Sequence, residues 1–135
     1  NYTWAKHFYW CWHRKLADYV TCIDLDFLEY CQRCREPLAL IEIAHDVGQI
    51  MKPTIVMRRL ARKANIPAYL ILYTPEEESG DNILKARVAM VFPIPEPLQT
   101  YSKTQLCEFI TKIHSQHQCA ISSPSLSNYE KIATG

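Results

Sequence analysis

Two neighbouring segments with different hydrophobic patterns predict a pair of strands. The first spans residues 20–30, where apolar and acidic side chains alternate in the order Ile23, Asp24, Leu25, Asp26, Phe27. A period of two puts the apolar side chains on one face of an extended strand and the carboxylates on the other. The second spans residues 38–44, LALIEIA, whose apolar character on both faces predicts a central position in a sheet. The intervening QRCREP predicts a turn, and therefore a hairpin.

Helical and strand patterns alternate along the rest of the chain. Apolar residues at helical spacing predict helices near residues 3–17 and over 102–116. A third helix is predicted to begin at Pro53 and to be capped by Asn65. Two further apolar segments predict strands, at residues 68–74 and 83–93. The order helix, strand, strand, helix, strand, strand, helix predicts an α/β domain with a mixed four-stranded sheet flanked by helices.

Composition narrows the class of protein. With 135 residues, of which 48% are hydrophobic and 21% charged, the chain has the size and composition of one globular domain. We expect that domain over residues 1–117 and a polar tail over residues 118–135. No apolar run approaches the ~18 residues of a membrane span. The six cysteines come without other signs of secretion, so we expect a reducing, cytoplasmic setting.

Carboxylates are concentrated on the two predicted strands. If the strands pair, Asp24, Asp26 and Glu42 come close, because directly opposed side chains lie about 5 Å apart. Acids at that distance repel one another and resist burial, whereas Mg²⁺ or Mn²⁺ would hold them together through oxygen ligands. The other interpretation is a solvated edge strand, with Glu42 paired to a lysine or arginine. Asp46 either supplements such a metal site or caps the turn after the second strand.

This order of elements resembles a known family. A helix, an acidic strand, a hairpin to ALIE, a second helix and IPAYLILY together resemble the PD-(D/E)XK nuclease superfamily over residues 5–92. The resemblance implies a restriction-endonuclease-like fold and Mg²⁺-dependent hydrolysis of phosphodiester bonds in nucleic acids. It also implies that Asp24 or Asp26 is the first acidic ligand and that the E-x-K motif reads E-I-A at residues 42–44.

Ala44 stands where the family has a lysine that positions the attacking water and stabilises negative charge. Lys52, at the start of the next helix, is the migrated lysine that we favour. His45, or Arg58 or Arg59 on that helix, is a second source of the cation. A third interpretation is a domain that has lost catalysis and only binds.

A basic surface is predicted on the helix after Pro53. Its cations are Lys52, Arg58, Arg59, Arg62 and Lys63. Residues four apart share a helix face, and a basic face beside acidic strands suits phosphate contacts that are independent of nucleotide sequence. An ordinary solvated face is the other interpretation. His13 on the first helix is a further candidate for substrate contact.

Aromatic residues are dense in the first helix. They include three tryptophans, Trp4, Trp10 and Trp12. We expect these side chains to pack in the core or on the surface rather than to serve as platforms on which bases stack.

Cys31 and Cys34 form a C-x-x-C pair, whose spacing suits two ligands of one tetrahedral zinc ion. A second pair is required to complete the site. Two pairs are candidates if the fold brings them there: Cys11 with His13 or His7, and His117 with Cys119. A reduced thiol pair without metal is the other interpretation.

Three functions therefore follow as expectations. The first is a metal-dependent nuclease whose site comprises Asp24, Asp26, Glu42 and Lys52, with Mg²⁺ or Mn²⁺ as cofactor. The second is a catalytically inactive protein of the same fold that binds nucleic acid or a partner protein. The third is an interaction module stabilised by zinc at Cys31 and Cys34. For the nuclease we expect DNA rather than RNA as the partner, no membrane, and a homodimer that supplies a recognition surface.

Overall fold

Five strands form one sheet in the computed structural model, which describes residues 2–50, 52–78 and 80–120. In chain order they are β1 (Phe27–Tyr30), β2 (Pro37–His45), β3 (Ala68–Pro75), β4 (Ile83–Phe92) and β5 (Gln99–Ser102). The strands lie in the sheet in that same order, with β2 and β3 parallel and the other neighbours antiparallel. The helices are α1 (Tyr2–His13), α2 (Ile55–Ala64) and α3 (Lys103–Ser115). The predicted α/β class and mixed sheet are confirmed.

The helix α2 makes the crossover between β2 and β3. A parallel pair needs such a connection because a tight turn cannot join its strands. The helix ends at Asn65, whose φ of 57° is the left-handed conformation typical of a helix C-cap. The predicted cap is confirmed.

Apolar layers cover both faces of the sheet. The layer against α2 includes Leu40, Leu70, Leu72, Val91, Met57 and Ala61. The layer against α3 includes Ile41, Ile71, Val88 and Leu106. Because side chains alternate along β2, Glu42 shares the α2 face with Leu40 and Ala44. The central position predicted for β2 is confirmed, since β1 and β3 flank it.

The prediction of four strands is wrong, because the described part of the chain has five. The additional strand, β5, pairs with β4 from Lys85 opposite Ser102 to Val88 opposite Gln99. Its sequence, QTYS, carries no apolar alternation of its own. Its extended form therefore depends on the edge that β4 offers for pairing.

The first strand is shorter than predicted, because β1 begins at Phe27 rather than near residue 20. The Asp26 side chain explains this boundary. Its Oδ2 accepts a hydrogen bond of 2.9 Å from the N–H of Ile43 on β2. A side chain thus occupies the donor that backbone pairing would otherwise use, and Asp24 lies outside the sheet.

The helix α1 is also shorter than predicted and packs less against the sheet than α2 and α3 do. Its tryptophans are open to solvent: Trp4 is 67% exposed, Trp10 43% and Trp12 47%. None of them is buried in the core, and Trp4 and Trp12 contact the neighbouring rings of Phe8 and Tyr9 on the helix surface.

No helix within the described ranges is long and apolar enough to cross a membrane. Of the predicted tail, residues 121–135 lie outside the residues that the structure describes.

Candidate functional site

A cavity of about 290 Å³ lies between the sheet and the start of α2, and Asp24, Glu42 and Lys52 are among its lining residues. The Glu42 side chain is only 16% exposed, so its charge requires a partner. Lys52 supplies that partner, since its Nζ donates a hydrogen bond of 2.5 Å to Glu42 Oε1. The structure therefore brings the glutamate of E-I-A together with the lysine that the sequence analysis favoured.

Asp26 lies beside Glu42 through its bond to the N–H of the next residue, Ile43. Phe27 is paired with Ile41 in the ladder. The ladder ends at this pair, so Asp26 precedes β1 and its carboxylate is directed at the backbone of β2. Asp26 therefore lies close to Glu42 along the chain of β2 but is not among the residues that line the cavity.

Asp24 is exposed and forms an ion pair with Lys6 of α1. It lines the same cavity as Glu42, but from the segment that precedes β1. Across the described residues, Asp24, Asp26 and Glu42 do not form a cluster of mutually close metal-ligating atoms. Of the three predicted acids, Asp24 and Glu42 line the cavity, whereas Asp26 bonds to the β2 backbone beside it.

The loop after β2 is held by a residue that the sequence analysis missed, Arg87 of β4. Its Nε and one terminal nitrogen each donate to the Asp46 carboxylate at 2.8 Å, and the latter nitrogen also donates to the Gln49 carbonyl at 2.7 Å. Asp46 Oδ1 further accepts from the Gly48 N–H at 2.8 Å. Asp46 therefore caps the turn, which was one of its two interpretations, and the loop leading to Lys52 is anchored to the sheet.

Arg87 holds the pKa of the Asp46 carboxyl well below its usual range, with a further contribution from the Gly48 N–H. A lowered pKa in the folded protein adds stability that is fully present above the unfolded value of about 3.9. That stability is lost as the pH falls through the lower, folded value. The Asp46–Arg87 pair should therefore stabilise the protein at neutral pH and progressively less in acid.

We expect Asp46→Asn to lower the Tm by a few degrees at pH 7, because Arg87 loses its charged partner. The difference from the unsubstituted protein should shrink as the pH falls below about 4. Thermal unfolding followed by circular dichroism from pH 3 to 7 measures it. Asp81→Asn, which changes an exposed loop carboxylate, is the matched control. A Tm difference that stays constant with pH would contradict this account.

The basic surface of α2 is largely solvent-exposed. Arg59, Arg62 and Lys63 are exposed, whereas Arg58 is partly buried. The Nε of Arg58 is buried and has no hydrogen-bond partner among the described residues. Arg59, Arg62 and Lys63 are thus accessible to solvent and to an anion that approaches α2.

Two other predicted contributors lie away from Glu42. His13 contacts the rings of Tyr9 and Trp12 on α1 and does not line the Glu42 cavity. His45 lies at the end of β2, where its ring contacts that of Tyr73 with the two ring centres 5.6 Å apart. Lys52 is therefore the cation that the structure brings to Glu42.

A second cluster lies at the β1–β2 turn and comprises Cys31, Cys34, His117 and Cys119. All four ligand atoms lie within 4.8 Å of one another. The Cys31 and Cys119 sulfurs are 3.8 Å apart, and the Cys34 sulfur is 3.2 Å from His117 Nε2. A tetrahedral site with Zn–S bonds of about 2.3 Å and Zn–N bonds of about 2.0 Å separates its ligand atoms by roughly 3.6–3.8 Å. These residues could bind a metal such as zinc.

The turn that carries Cys31 and Cys34 directs backbone N–H groups at their sulfurs. The Cys34 N–H and then the Arg33 N–H lower the pKa of Cys31 to about 7, although burial opposes them. At Cys34 the Glu36 N–H acts to lower the pKa, but burial and the thiols of Cys31 and Cys119 outweigh it and raise the pKa overall. Such N–H donors stabilise sulfur ligands in metal sites.

The turn closes through backbone bonds. The Cys31 N–H donates to the Glu36 carbonyl at 2.9 Å, and the Arg35 N–H donates to the Cys31 carbonyl at 2.8 Å. Arg35 has a φ of 67°, a left-handed conformation that is uncommon for a long side chain. The ladder of β1 and β2 and these bonds together preorganise the cysteine pair.

His117 and Cys119 follow the end of α3, so the cluster connects that helix to the β1–β2 hairpin. A second contact joins the same elements, because His114 Nε2 lies 2.7 Å from Glu29 Oε1. The other predicted pair does not contribute, since Cys11 contacts His7 on α1 instead. Four protein ligands leave no open coordination position, which is typical of a structural rather than a catalytic metal site.

No protein-family model, curated protein or solved structure matches this chain. The resemblance to the PD-(D/E)XK nucleases therefore remains a prediction, and the side-chain geometry carries the functional proposal.

Proposed function

We propose that this protein is a metal-dependent nuclease that hydrolyses phosphodiester bonds in nucleic acids, with DNA favoured over RNA. The supporting observation is the contact of 2.5 Å between Lys52 Nζ and Glu42 Oε1. It supplies, from the start of the next helix, the cation that Ala44 does not provide. Asp24 lines the same cavity, which gathers acidic and basic groups in one place.

The residues present fit a divalent cation that prefers oxygen. Mg²⁺ binds through one or two carboxylates and completes its coordination with water and substrate phosphate oxygens. Glu42 of β2, with Asp24 or Asp26 from the segment that precedes β1, would hold it. When bound, such an ion lowers the pKa of water and offsets negative charge on a phosphate.

Lys52 would bind and orient the substrate. Its side chain is 38% exposed, so the ammonium group contacts Glu42 while remaining accessible to solvent in the cavity. An ammonium at this point would attract a phosphate oxygen and stabilise the negative charge that develops on it. Arg59 and Arg62, exposed on α2, would bind flanking phosphates without reading the bases.

The proposal is tested with labelled single- and double-stranded DNA in the presence of Mg²⁺ or Mn²⁺. We expect cleavage by the unsubstituted protein and none by Glu42→Ala. Cleavage that survives this substitution would contradict the assignment of the site. Salt-dependent binding without cleavage would instead support the catalytically inactive alternative.

We further propose that Cys31, Cys34, His117 and Cys119 bind one structural zinc ion. The supporting observation is that all four ligand atoms lie within 4.8 Å of one another, with the Cys31 and Cys119 sulfurs at 3.8 Å, the separation of two thiolates on one tetrahedral zinc ion. The ion would fasten the end of α3 to the β1–β2 hairpin. Elemental analysis of protein purified without chelator is expected to give one zinc per chain.

A further inference from the structure

The aromatic surface of α1 is not explained by the fold or by the nuclease site. Large aromatic side chains usually bury most of their area, yet Tyr9 and Phe8 are exposed here, as are the tryptophans. The Trp4 and Phe8 rings stack at 5.5 Å, and the Tyr9 and Trp12 rings lie 5.8 Å apart. The helix therefore presents ordered, flat aromatic surfaces to solvent.

A cavity of about 670 Å³ lies between α1 and residues 22–24. Tyr9, Trp10, Lys6 and His7 line its α1 side. Its volume falls within the range of about 300–1,000 Å³ that is typical of ligand pockets. The walls combine two aromatic rings, a histidine and the ion pair of Lys6 with Asp24.

This cavity adjoins the nuclease cavity. Ile23 and Asp24 line both, so the two form neighbouring parts of one surface. A ligand that spans them would place one part against Trp10 and another part near Lys52.

The α1 segment carries positive charge beyond the Lys6–Asp24 ion pair of the cavity wall. Residues 2–17 contain Lys6, Arg14 and Lys15 and no carboxylate. Aromatic rings interleaved with cations are the combination by which proteins bind single strands, because every base offers a flat face and every nucleotide a phosphate. A duplex keeps its bases stacked on one another and does not offer those faces.

We propose that the α1 cavity binds unpaired bases, so that the substrate of the neighbouring site is a single-stranded segment of nucleic acid. Tyr9 and Trp10 stack on bases, and Lys6 exchanges its ion pair with Asp24 for a contact with the adjoining phosphate. This inference rests on the proposed nuclease function, since it names the class of substrate for that site.

The test compares three fluorescent ligands of equal length: a dT oligonucleotide, the same backbone with abasic residues, and a duplex. Binding is measured at constant salt. Mg²⁺ is omitted so that the ligand is not cleaved, and chelator is omitted because it would extract zinc. We expect dT to bind about tenfold more tightly than the abasic strand, consistent with the energy of base–aromatic stacking. An rU oligonucleotide in a fourth arm distinguishes RNA from DNA as the source of the bases.

Variants of two tryptophans assign the preference to the cavity. Trp10→Ala should remove the advantage of dT over the abasic strand, while Trp10→Phe should keep most of it. Trp12→Ala is the matched control: Trp12 is similarly exposed on the same helix but does not line the cavity. Its effect on dT affinity should stay within about twofold, because it removes no stacking partner in the cavity.

The possible outcomes distinguish a failure of this inference from a failure of the nuclease proposal. Equal affinity for dT and abasic strands, or duplex binding as tight as dT binding, would overturn the inference and leave the nuclease proposal standing. Failure to bind any of these ligands would contradict both. Dimerisation that Trp10→Ala abolishes, without a preference for bases, would assign the cavity to a second copy of the chain and overturn the inference.

Discussion

Replacing Cys34 with serine is expected to release bound zinc and to lower the Tm by roughly 10 °C or more. The binding free energy of a structural zinc ion is part of the folding free energy, because the unfolded chain has no formed site. Cys34 contacts His117 across 83 positions of sequence, so losing this ligand also loosens the junction between α3 and the hairpin. Both effects favour unfolding.

Cys107→Ser is the matched control for this result. Cys107 is exposed on α3 and lies outside the four-residue cluster, so the same chemical change should leave both zinc content and Tm nearly unchanged. Zinc content is measured by elemental analysis and Tm by circular dichroism. Reconstitution with Co²⁺ adds a geometric check, since tetrahedral thiolate coordination has its own visible absorption. Full zinc occupancy in Cys34→Ser would contradict the proposed site.

Replacing Lys52 with alanine is expected to lower the rate of Mg²⁺-dependent cleavage about 100- to 1,000-fold, the usual cost of removing one group that stabilises transition-state charge. A lysine placed at a second position should restore the positive charge. Ala44 lies two residues after Glu42 on the same face of β2, so a lysine there would reach the same cavity. Ala44→Lys added to Lys52→Ala should therefore restore cleavage to within about tenfold of the original rate.

Lys63→Ala controls for the loss of a positive charge on α2 away from Glu42 and should change the rate by less than about tenfold, because a single exposed phosphate contact contributes mainly to affinity. Ala44 packs against the apolar layer, so the Tm of each variant is measured beside its cleavage rate. A Lys52→Ala variant that folds and cleaves at the original rate would remove Lys52 from the site. Single-turnover assays separate this effect on chemistry from one on binding.

The elements that the sequence predicted well are those with strong local patterns. LALIEIA is apolar on both faces, and in the structure β2 has a neighbour on each side and a helix on each face. The cap at Asn65 was likewise predictable, because asparagine tolerates the left-handed conformation that ends a helix. Local physics alone decides such features.

The elements that it predicted poorly depend on distant partners. QTYS becomes β5 because β4 presents an edge to it. Residues 20–26 alternate as a strand should, but the Asp26 carboxylate takes the Ile43 N–H and pairing stops there. Whether the α1 tryptophans pack in the core or on the surface was left open, and their exposure follows from the position of the helix rather than from its sequence.

The two candidate sites divide in the same way. Glu42 and Lys52 were identifiable from the sequence, because a carboxylate in an apolar run needs a charged partner and Lys52 is a cation ten positions away. Arg87, which anchors the loop between them, is 41 positions from Asp46, and nothing local indicated that pair. For the cysteine pair, the sequence offered two completing pairs of equal merit. Only the packing of α3 on the sheet selected His117 and Cys119, because Cys31 and Cys119 are 88 positions apart and their contact depends on the whole fold between them.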